Sequence, residues 1–370
     1  FITLYHLIFI VKIKNIMKVC IVGNGLISLT LAKALVNKGV FVDLVSNGKF
    51  NKIDKSRTLG ISKNNISYFN KNILNIKKLL WEINKIEIYS ENLSNEKILN
   101  FEDKKEHLFS MIKNHELYEY LISSLKKNKL FKKKKGYRKS LTKNYKLIVN
   151  CDQNNLMSKK YFNKKFSKNY YSYAHTTIIN HKKISNKTAT QIFTKKGPFA
   201  FLPISDTETS IVYSARGSNN LDLEKLIKFY NFKYLDLKIN KISNFELKSK
   251  NLRNYYFKNV LAFGDMLHRI HPLAGQGFNM SIRDVKLLME LIQYRLNLGL
   301  ELDLSICKDF QERIKHKNFF FSNSIDFIYE FFNFESKIDN SFLAKSVQSL
   351  GKNKSLNKFF TRFADIGIGT

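Results

Sequence analysis

The sequence predicts an α/β chain in which a parallel βαβ domain is interleaved with an antiparallel-sheet domain and followed by C-terminal helices. Three observations point there. Residues 18–22 form a compact apolar β-run that leads into Gly23-Asn24-Gly25-Leu26-Ile27-Ser28, a helical stretch to Val36, Gly39 and a second β-run at 40–45. Between Tyr171 and Ser214 the apolar period changes to two, with turn signals at Gly197-Pro198 and Ser205-Asp206. From Phe278, apolar residues recur at helical spacing through Ile282, Val285, Leu288, Ile292 and Leu296, and the chain beyond Leu304 is helical and rich in phenylalanine.

Composition limits the function classes. A chain of 370 residues, 44% hydrophobic, can bury a sizeable core and is not disordered. Cys20, Cys151 and Cys307 lie far apart without C-x-x-C spacing, the pattern of a reducing compartment with neither a disulfide framework nor a zinc knuckle. A formal charge of +33 invites nucleic acid or an anionic membrane as partner. The lysines, however, are spread over the whole length, with only Lys132 to Lys135 forming a block, so nucleic-acid binding is not the expectation. Attraction to anionic lipid fits better because it needs no particular site. The apolar run before KIKN in residues 1–16 is too short to span a bilayer. Met17, directly before a strand pattern, reads as the start, and 1–16 as translated non-coding sequence or an incidental arm.

Taken in order, the first unit is a strand–turn–helix–strand with a G-x-G-x-x-S turn. Gly23 permits the tight turn, Gly25 lets backbone approach a pyrophosphate, and Ser28 is small enough to keep helix and strand close. The acidic residue that usually ends the second strand and binds a ribose is replaced by Ser46, so a weaker hold on a dinucleotide is expected. Arg57 either clamps a phosphate or caps a surface. A helix is expected over 64–80, a strand over 86–89, an amphipathic helix over 114–125, a solvated loop at Lys132–Lys135 and a buried strand over 147–149, ending in Asn150-Cys151-Asp152. A further helix is expected over 221–235 and a strand over 239–247.

The densest signal is Asn259 to Asp284, NVLAFGDMLHRIHPLAGQGFNMSIRD. An apolar strand at 260–263 ends at Gly264-Asp265, and a tight Gly275-Gln276-Gly277 turn opens a helix. Free N–H groups at the turn and the positive end of the helix dipole make a cradle for a polar, anionic edge. His268 and His271 have H-x-x-H spacing, but with no third ligand cluster nearby and Pro272 adjoining they read as packing and hydrogen-bonding residues, not metal ligands. No G-x-S-x-G occurs to support a hydrolase triad.

With these motifs in hand, the chain resembles the FAD-dependent aromatic hydroxylases (class A flavoprotein monooxygenases), and more narrowly the ubiquinone-biosynthesis hydroxylases that oxidise polyprenylated phenols. Gly264-Asp265, His271-Pro272-Leu273-Ala274-Gly275-Gln276-Gly277-Phe278-Asn279 and Arg283-Asp284 carry the resemblance most specifically. Thr188 to Thr194, Gly197 to Pro203, His115-Glu116-Leu117 and Arg57-Thr58-Leu59 extend it. The resemblance implies a Rossmann-like FAD-binding domain made of 17–65, 101–160 and 255–300, a substrate domain made of 66–100 and 161–254, and a C-terminal helical region, 301–370. It implies that Gly23, Gly25, Ser28, Ser46, Arg57 and Asp152 serve the dinucleotide, with Arg57 pairing the pyrophosphate. Gly264 and Asp265 serve the ribityl chain. His271, Pro272, Gly275, Gln276 and Gly277 form the ring environment, and Asn279 is a further cofactor-binding residue. It further implies NAD(P)H or another reductant, O2 as co-substrate, hydroxylation through a flavin C4a-hydroperoxide, and a place at the inner, cytoplasmic face of the cell membrane, on anionic lipid or in a ubiquinone-biosynthesis complex. An apolar slot or membrane-facing patch among the C-terminal phenylalanines follows from the isoprenoid tail.

No acid–base residue is assigned, because an electron-rich phenol needs mainly a close, dry position. The chain departs from the family at Ser46, at Asp152-Gln153 in place of Asp-Gly, and in a short 125–147 segment. Two alternatives stay open: another FAD oxidoreductase of the same fold, such as a soluble aromatic hydroxylase or prenyl reductase, or a non-catalytic lipid-binding or assembly subunit with a decayed FAD site.

Overall fold

The computed structural model describes residues 17–47, 53–91, 96–102, 107–136, 141–217, 221–271 and 276–338. The arm at 1–16 and the turn residues Pro272 and Gly275 fall outside them.

A six-stranded sheet runs in the order Tyr256–Phe257, Val260–Ala262, Leu147–Asn150, Lys18–Val22, Phe41–Ser46 and Phe131–Lys135. All neighbours after the first pair are parallel. From Lys18–Val22 the chain first builds one side of the sheet and then crosses to the other, so the order reverses beside that strand. Ligands of open parallel sheets bind outside the carboxyl ends at such a reversal. Parallel strands covered on both faces read as continuous apolar runs. Val19, Cys20, Ile21, Leu147, Ile148 and Val149 accordingly share one core with Leu29, Leu31 and Leu35 of the Leu26–Asn37 helix.

The second sheet has nine strands and is antiparallel apart from one parallel pair, Lys85–Ser90 with Thr188–Thr194. Alternation explains its two faces. Phe199, Ile211 and Tyr213 meet Ile227 and Tyr230 of the Leu223–Tyr230 helix. On another side Ile98, Phe193 and Ile270 meet Phe321 and Ile325 of the long Leu304–Ile338 helix. The long helix also places Ile306, Phe310 and Ile314 in the first core. Burying each such side chain contributes about 1.5–3 kcal/mol. A small sheet of Thr58–Ser62, Phe109–Lys113 and Trp81–Ile83 completes the chain.

Three local expectations are corrected. The lysine run is the Phe131–Lys135 edge strand, not a loop. Lysine suits an edge that must not pair further, and Lys134 Nζ reaches buried Asp43 at 2.8 Å. The helix expected over 64–80 is confined to Lys63–Asn72, with a short 3-10 turn at Lys77–Leu79. Asparagines end it by capturing backbone N–H groups: Asn70 Oδ1 accepts from Ile76 at 2.8 Å and Asn75 Oδ1 from Lys77 at 3.1 Å. The strand expected over 239–247 divides into Lys238–Ile239 and Ser243–Leu252. Among the described residues no helix is long and apolar enough to cross a membrane.

Candidate cofactor cleft

The cleft begins at the carboxyl end of Lys18–Val22. Gly23 has φ +116°, and a Cβ there would come within 3.1 Å of Ser28 Oγ and 3.3 Å of the Asp152 backbone nitrogen. Only glycine makes that turn without strain. Its N–H donates to Val45 O at 2.9 Å, which ties the turn to the second strand. Ser28 is 1% exposed, in keeping with the small residue expected where the helix lies on the strand. Gly25 is the helix N-cap and has no side-chain cap; the first turn carries no acidic residue. A Cβ on Gly25 would meet nothing within 4 Å. The turn is therefore packed on its Gly23 side and open on its Gly25 side, with the positive end of the helix dipole above it.

Three more sequence-predicted residues gather at this edge. Ser46 ends the second strand and is buried. Asp152 follows Leu147–Asn150 and accepts from Asn154 N–H at 2.9 Å. Gly264, at φ +61°, sets its α-carbon against the first turn of the helix: a Cβ would lie 3.0 Å from Ile27 Cγ2. Asp265 beside it is exposed. The Cys151 thiol is pushed up to about 12 by burial, with Asp265 and Asp152 adding to the rise. That thiol stays protonated and unreactive. The Arg57 guanidinium stands 4.9 Å over the Phe245 ring of the large sheet.

Sequence reasoning missed the residue that holds this edge together. Asn150 is fully buried; its Oδ1 accepts from Asn155 Nδ2 at 2.8 Å and from Asp152 N–H at 3.2 Å, and its Nδ2 donates to Ser158 Oγ at 2.9 Å. Its backbone oxygen accepts from Phe263 N–H at 2.9 Å, joining Asp152 to the Gly264-Asp265 turn. The only local signal was a polar residue closing an apolar run.

On the far side, the 22-residue helix Gln276–Asn297 starts at the glycine turn, again without an acidic residue in its first turn. Gln276 is buried and its Oε1 has no partner; Gly277 has only Ile270 Cγ1 near a hypothetical Cβ, at 4.0 Å. His271 is fully buried with neither ring nitrogen hydrogen-bonded. Tyr170 meets it edge-on at 4.9 Å and Tyr329 stacks on it at 4.1 Å. Burial lowers its pKa to about 3, so the imidazole stays neutral across the physiological range. Its partner in the H-x-x-H pair differs: His268 Nε2 hydrogen-bonds Asp284 Oδ2, whose other oxygen accepts from Asn318 Nδ2 at 3.1 Å. Hydrogen bonding is therefore seen at His268 and packing at His271.

Asn279, expected among the cofactor-binding residues, has its amide engaged with protein. Nδ2 donates to Gly60 O at 2.9 Å, while Oδ1 accepts from Ser62 N–H at 3.0 Å and Asn65 Nδ2 at 2.9 Å. It fixes the start of the helix to the strand and helix at Thr58–Asn72, which corrects its side chain from a ligand contact to a positioning group.

An open glycine turn, an uncapped helix start at Gly25, a second helix start free of acidic residues, and orphaned polar atoms at Gln276 and His271 fit a dinucleotide with a polar ring. Comparison with known proteins gives the same chemistry. A family model described as an FAD binding domain matches residues 224–297. Mitochondrial ubiquinone biosynthesis monooxygenase COQ6 of Dictyostelium discoideum is 31% identical over 114 residues, 30% of this chain and 22% of that protein. The Schizosaccharomyces pombe protein of the same name is 24% identical over 277 residues, 60% and 57% of the two chains. The chain is related to the ubiquinone-biosynthesis hydroxylases.

Escherichia coli 3-demethoxyubiquinol 3-hydroxylase is 29% identical over 150 residues, 38% of each chain. The matches span 22% to 57% of these relatives' lengths. Among solved structures, p-nitrophenol 4-monooxygenase PnpA from Pseudomonas putida DLL-E4 superposes with a TM-score of 0.73 at 12% identity, covering 95% of this chain and 98% of that one. Klebsiella pneumoniae HpxO complexed with FAD and uric acid superposes at 0.68, with 11% identity and coverages of 94% and 96%. The fold is that of the FAD-dependent aromatic monooxygenases, as the sequence predicted.

Proposed function

We propose that the chain is an FAD-dependent monooxygenase that hydroxylates the ring of a polyprenylated phenol in ubiquinone biosynthesis. The observation that carries this reading is the seating of Gly264, beside Asp265, against Ile27 of the open Gly23–Ser28 turn, whose helix also contacts the Gln276–Asn297 helix. Gly23, Gly25 and Ser28 shape the pyrophosphate cradle, Ser46 and Asp152 border the adenosine side, and Asp265 accepts from the ribityl chain. The family resemblance gives the ring side to the Gly275-Gln276-Gly277 turn and Pro272, of which Gln276 and Gly277 are among the described residues, at the start of the Gln276–Asn297 helix. Bound FAD supplies the electrons, taken from NAD(P)H or another reductant, and activates O2. The chain's own residues hold, orient and keep dry. Neutral His271 brings no charge to the ring side, in line with chemistry that needs no protein base. The domain division 17–65, 101–160 and 255–300 against 66–100 and 161–254, with helices from 301, belongs to the same reading.

The deciding experiment is the quinone profile of cells lacking this protein. A polyprenyl phenol one hydroxylation short should accumulate, and its structure would give the ring position. An unchanged profile would remove the pathway assignment.

We further infer that the protein works at an anionic membrane face. Phe320 and Phe327, 60% and 70% exposed, are seven residues apart on the long helix and so share one face. Phe319 lies 5.7 Å from exposed Phe166, whose ring carries the Arg253 guanidinium at 4.6 Å. Exposed Arg313 and Lys317 continue the stripe, with Glu312 the acid beside them. Aromatic anchors with cations alongside suit anionic lipid. Wild-type protein should float with phosphatidylglycerol vesicles, and Phe320→Ser/Phe327→Ser should bind roughly tenfold more weakly. Equal flotation of the two proteins would end this part of the reading.

A further inference from the structure

We propose that Lys250 and Arg269, with Lys165 beside them, form a phosphate-binding subsite of the cofactor cleft. The inference rests on the dinucleotide reading above and adds to it a cation cluster acted on by Asp265.

The strand register builds it. Lys250 stands opposite Arg269 on the His268–Arg269 edge strand, and opposite Ser167 on the long Lys165–Asn180 strand. Lys165 is paired with Leu252, two residues from Lys250 along the strand. Opposed residues of antiparallel strands project from the same face, and so do residues two apart, so all three cations share one face. The other face at this point carries Asn251 and His268, which engage Ser322 and Asp284 beneath the long helix. The cationic face adjoins the Gly264–Met266 turn, which contacts the His268–Arg269 strand, and Asp265 of that turn acts on Lys250.

The cluster is electrostatically unbalanced. Burial, with Lys165 and Arg269 close by, brings the Lys250 ammonium down to about 8, and Asp265 opposes that fall. Among the described residues, none of Lys165, Lys250, Arg269 and Asp265 makes a side-chain hydrogen bond or an ion pair. Like charges held together, partly desolvated and without partners, cost stability unless an anion binds between them. A pyrophosphate matches the surplus, and an arginine beside a lysine offers both a fork and a point charge to it. Two dinucleotides carry that group, FAD and the reductant NADPH, and the test separates them.

FAD and riboflavin, which lacks phosphate, would be titrated by flavin fluorescence into cofactor-stripped wild type, Lys250→Gln, Arg269→Gln and the double variant. NADPH would be titrated into the same FAD-loaded proteins. The double variant should bind FAD roughly tenfold more weakly, with riboflavin unchanged to within about twofold; Lys250→Arg should retain FAD. Lys248→Gln, on a residue paired with Glu246 at 2.6 Å, should bind as wild type does. Unchanged FAD with NADPH weakened roughly tenfold would support the subsite and assign it to the reductant. Unchanged affinity for both would overturn the proposal, as would equal weakening of FAD and riboflavin, which signals damage to the fold. Wild type that binds neither flavin would sink the monooxygenase reading itself.

Discussion

Asp284→Ala is expected to cost about 3–5 kcal/mol of folding stability, the loss typical when one member of a buried ionic or hydrogen-bonded pair is removed. Asp284 is fully buried and His268 is 2% exposed. One carboxylate oxygen is bonded by His268 Nε2, the other by Asn318 Nδ2 at 3.1 Å. Alanine strands both donors in a buried setting, at about 1–3 kcal/mol each. Three elements meet there: the His268–Arg269 strand, the Gln276–Asn297 helix and the long C-terminal helix. The damage should therefore reach the segment that leads into the ring-side turn. Asp284→Asn keeps the volume but only one acceptor oxygen, so one of the two hydrogen bonds can be retained, and it should lose roughly half as much. Urea unfolding of the FAD-free protein measures both. A loss below about 1 kcal/mol for Asp284→Ala would show that the pair is dispensable.

What was legible in the sequence follows from how local each feature is. The Gly23 turn and the Gly264-Asp265 turn depend on backbone conformations that residue type alone dictates, so they could be read without a partner in view. The long alternation from Tyr171 to Ser214 reported a two-faced sheet in the same way. The features that were missed are pairings across the chain. Asn279 is 219 residues from Gly60, whose carbonyl it binds, and a lone asparagine near a glycine turn looks like a ligand contact until that carbonyl is placed. Asn150 gave no pattern at all, because a single buried amide has no period. The Lys132–Lys135 run misled for a different reason. Charge reports solvation of the side-chain tip, while strand formation there is decided by backbone pairing with Phe41–Ser46. Lysine stems tolerate that edge while their heads remain in water or, for Lys134, on Asp43. The phosphate-binding cluster was hidden likewise: Lys165, Lys250 and Arg269 become neighbours only once three strands are in register.

Asp265→Ala should weaken FAD roughly 10- to 100-fold, the effect of losing a hydrogen bond to a charged acceptor worth about 1.5–3 kcal/mol. The carboxylate is exposed and makes no hydrogen bond among the described protein groups, so its removal leaves nothing unsatisfied within the chain. Stability in the absence of flavin should change by less than about 0.5 kcal/mol, as for other exposed positions. That separation makes the experiment informative, because Gly264 beside it is packed against Ile27 and substitution there would disturb fold and site together. If Asp265 accepts from the ribityl hydroxyls, riboflavin and FAD should lose affinity in parallel in the Asp265 variant. The lysine and arginine variants should affect FAD alone. The two patterns are opposite in their dependence on phosphate, so a single set of titrations apportions the cleft between a sugar-binding carboxylate and a phosphate-binding face. Unchanged flavin affinity in Asp265→Ala would mean that the Gly264-Asp265 turn serves only to seat the first helix, and that the cleft holds its ligand by backbone and cations.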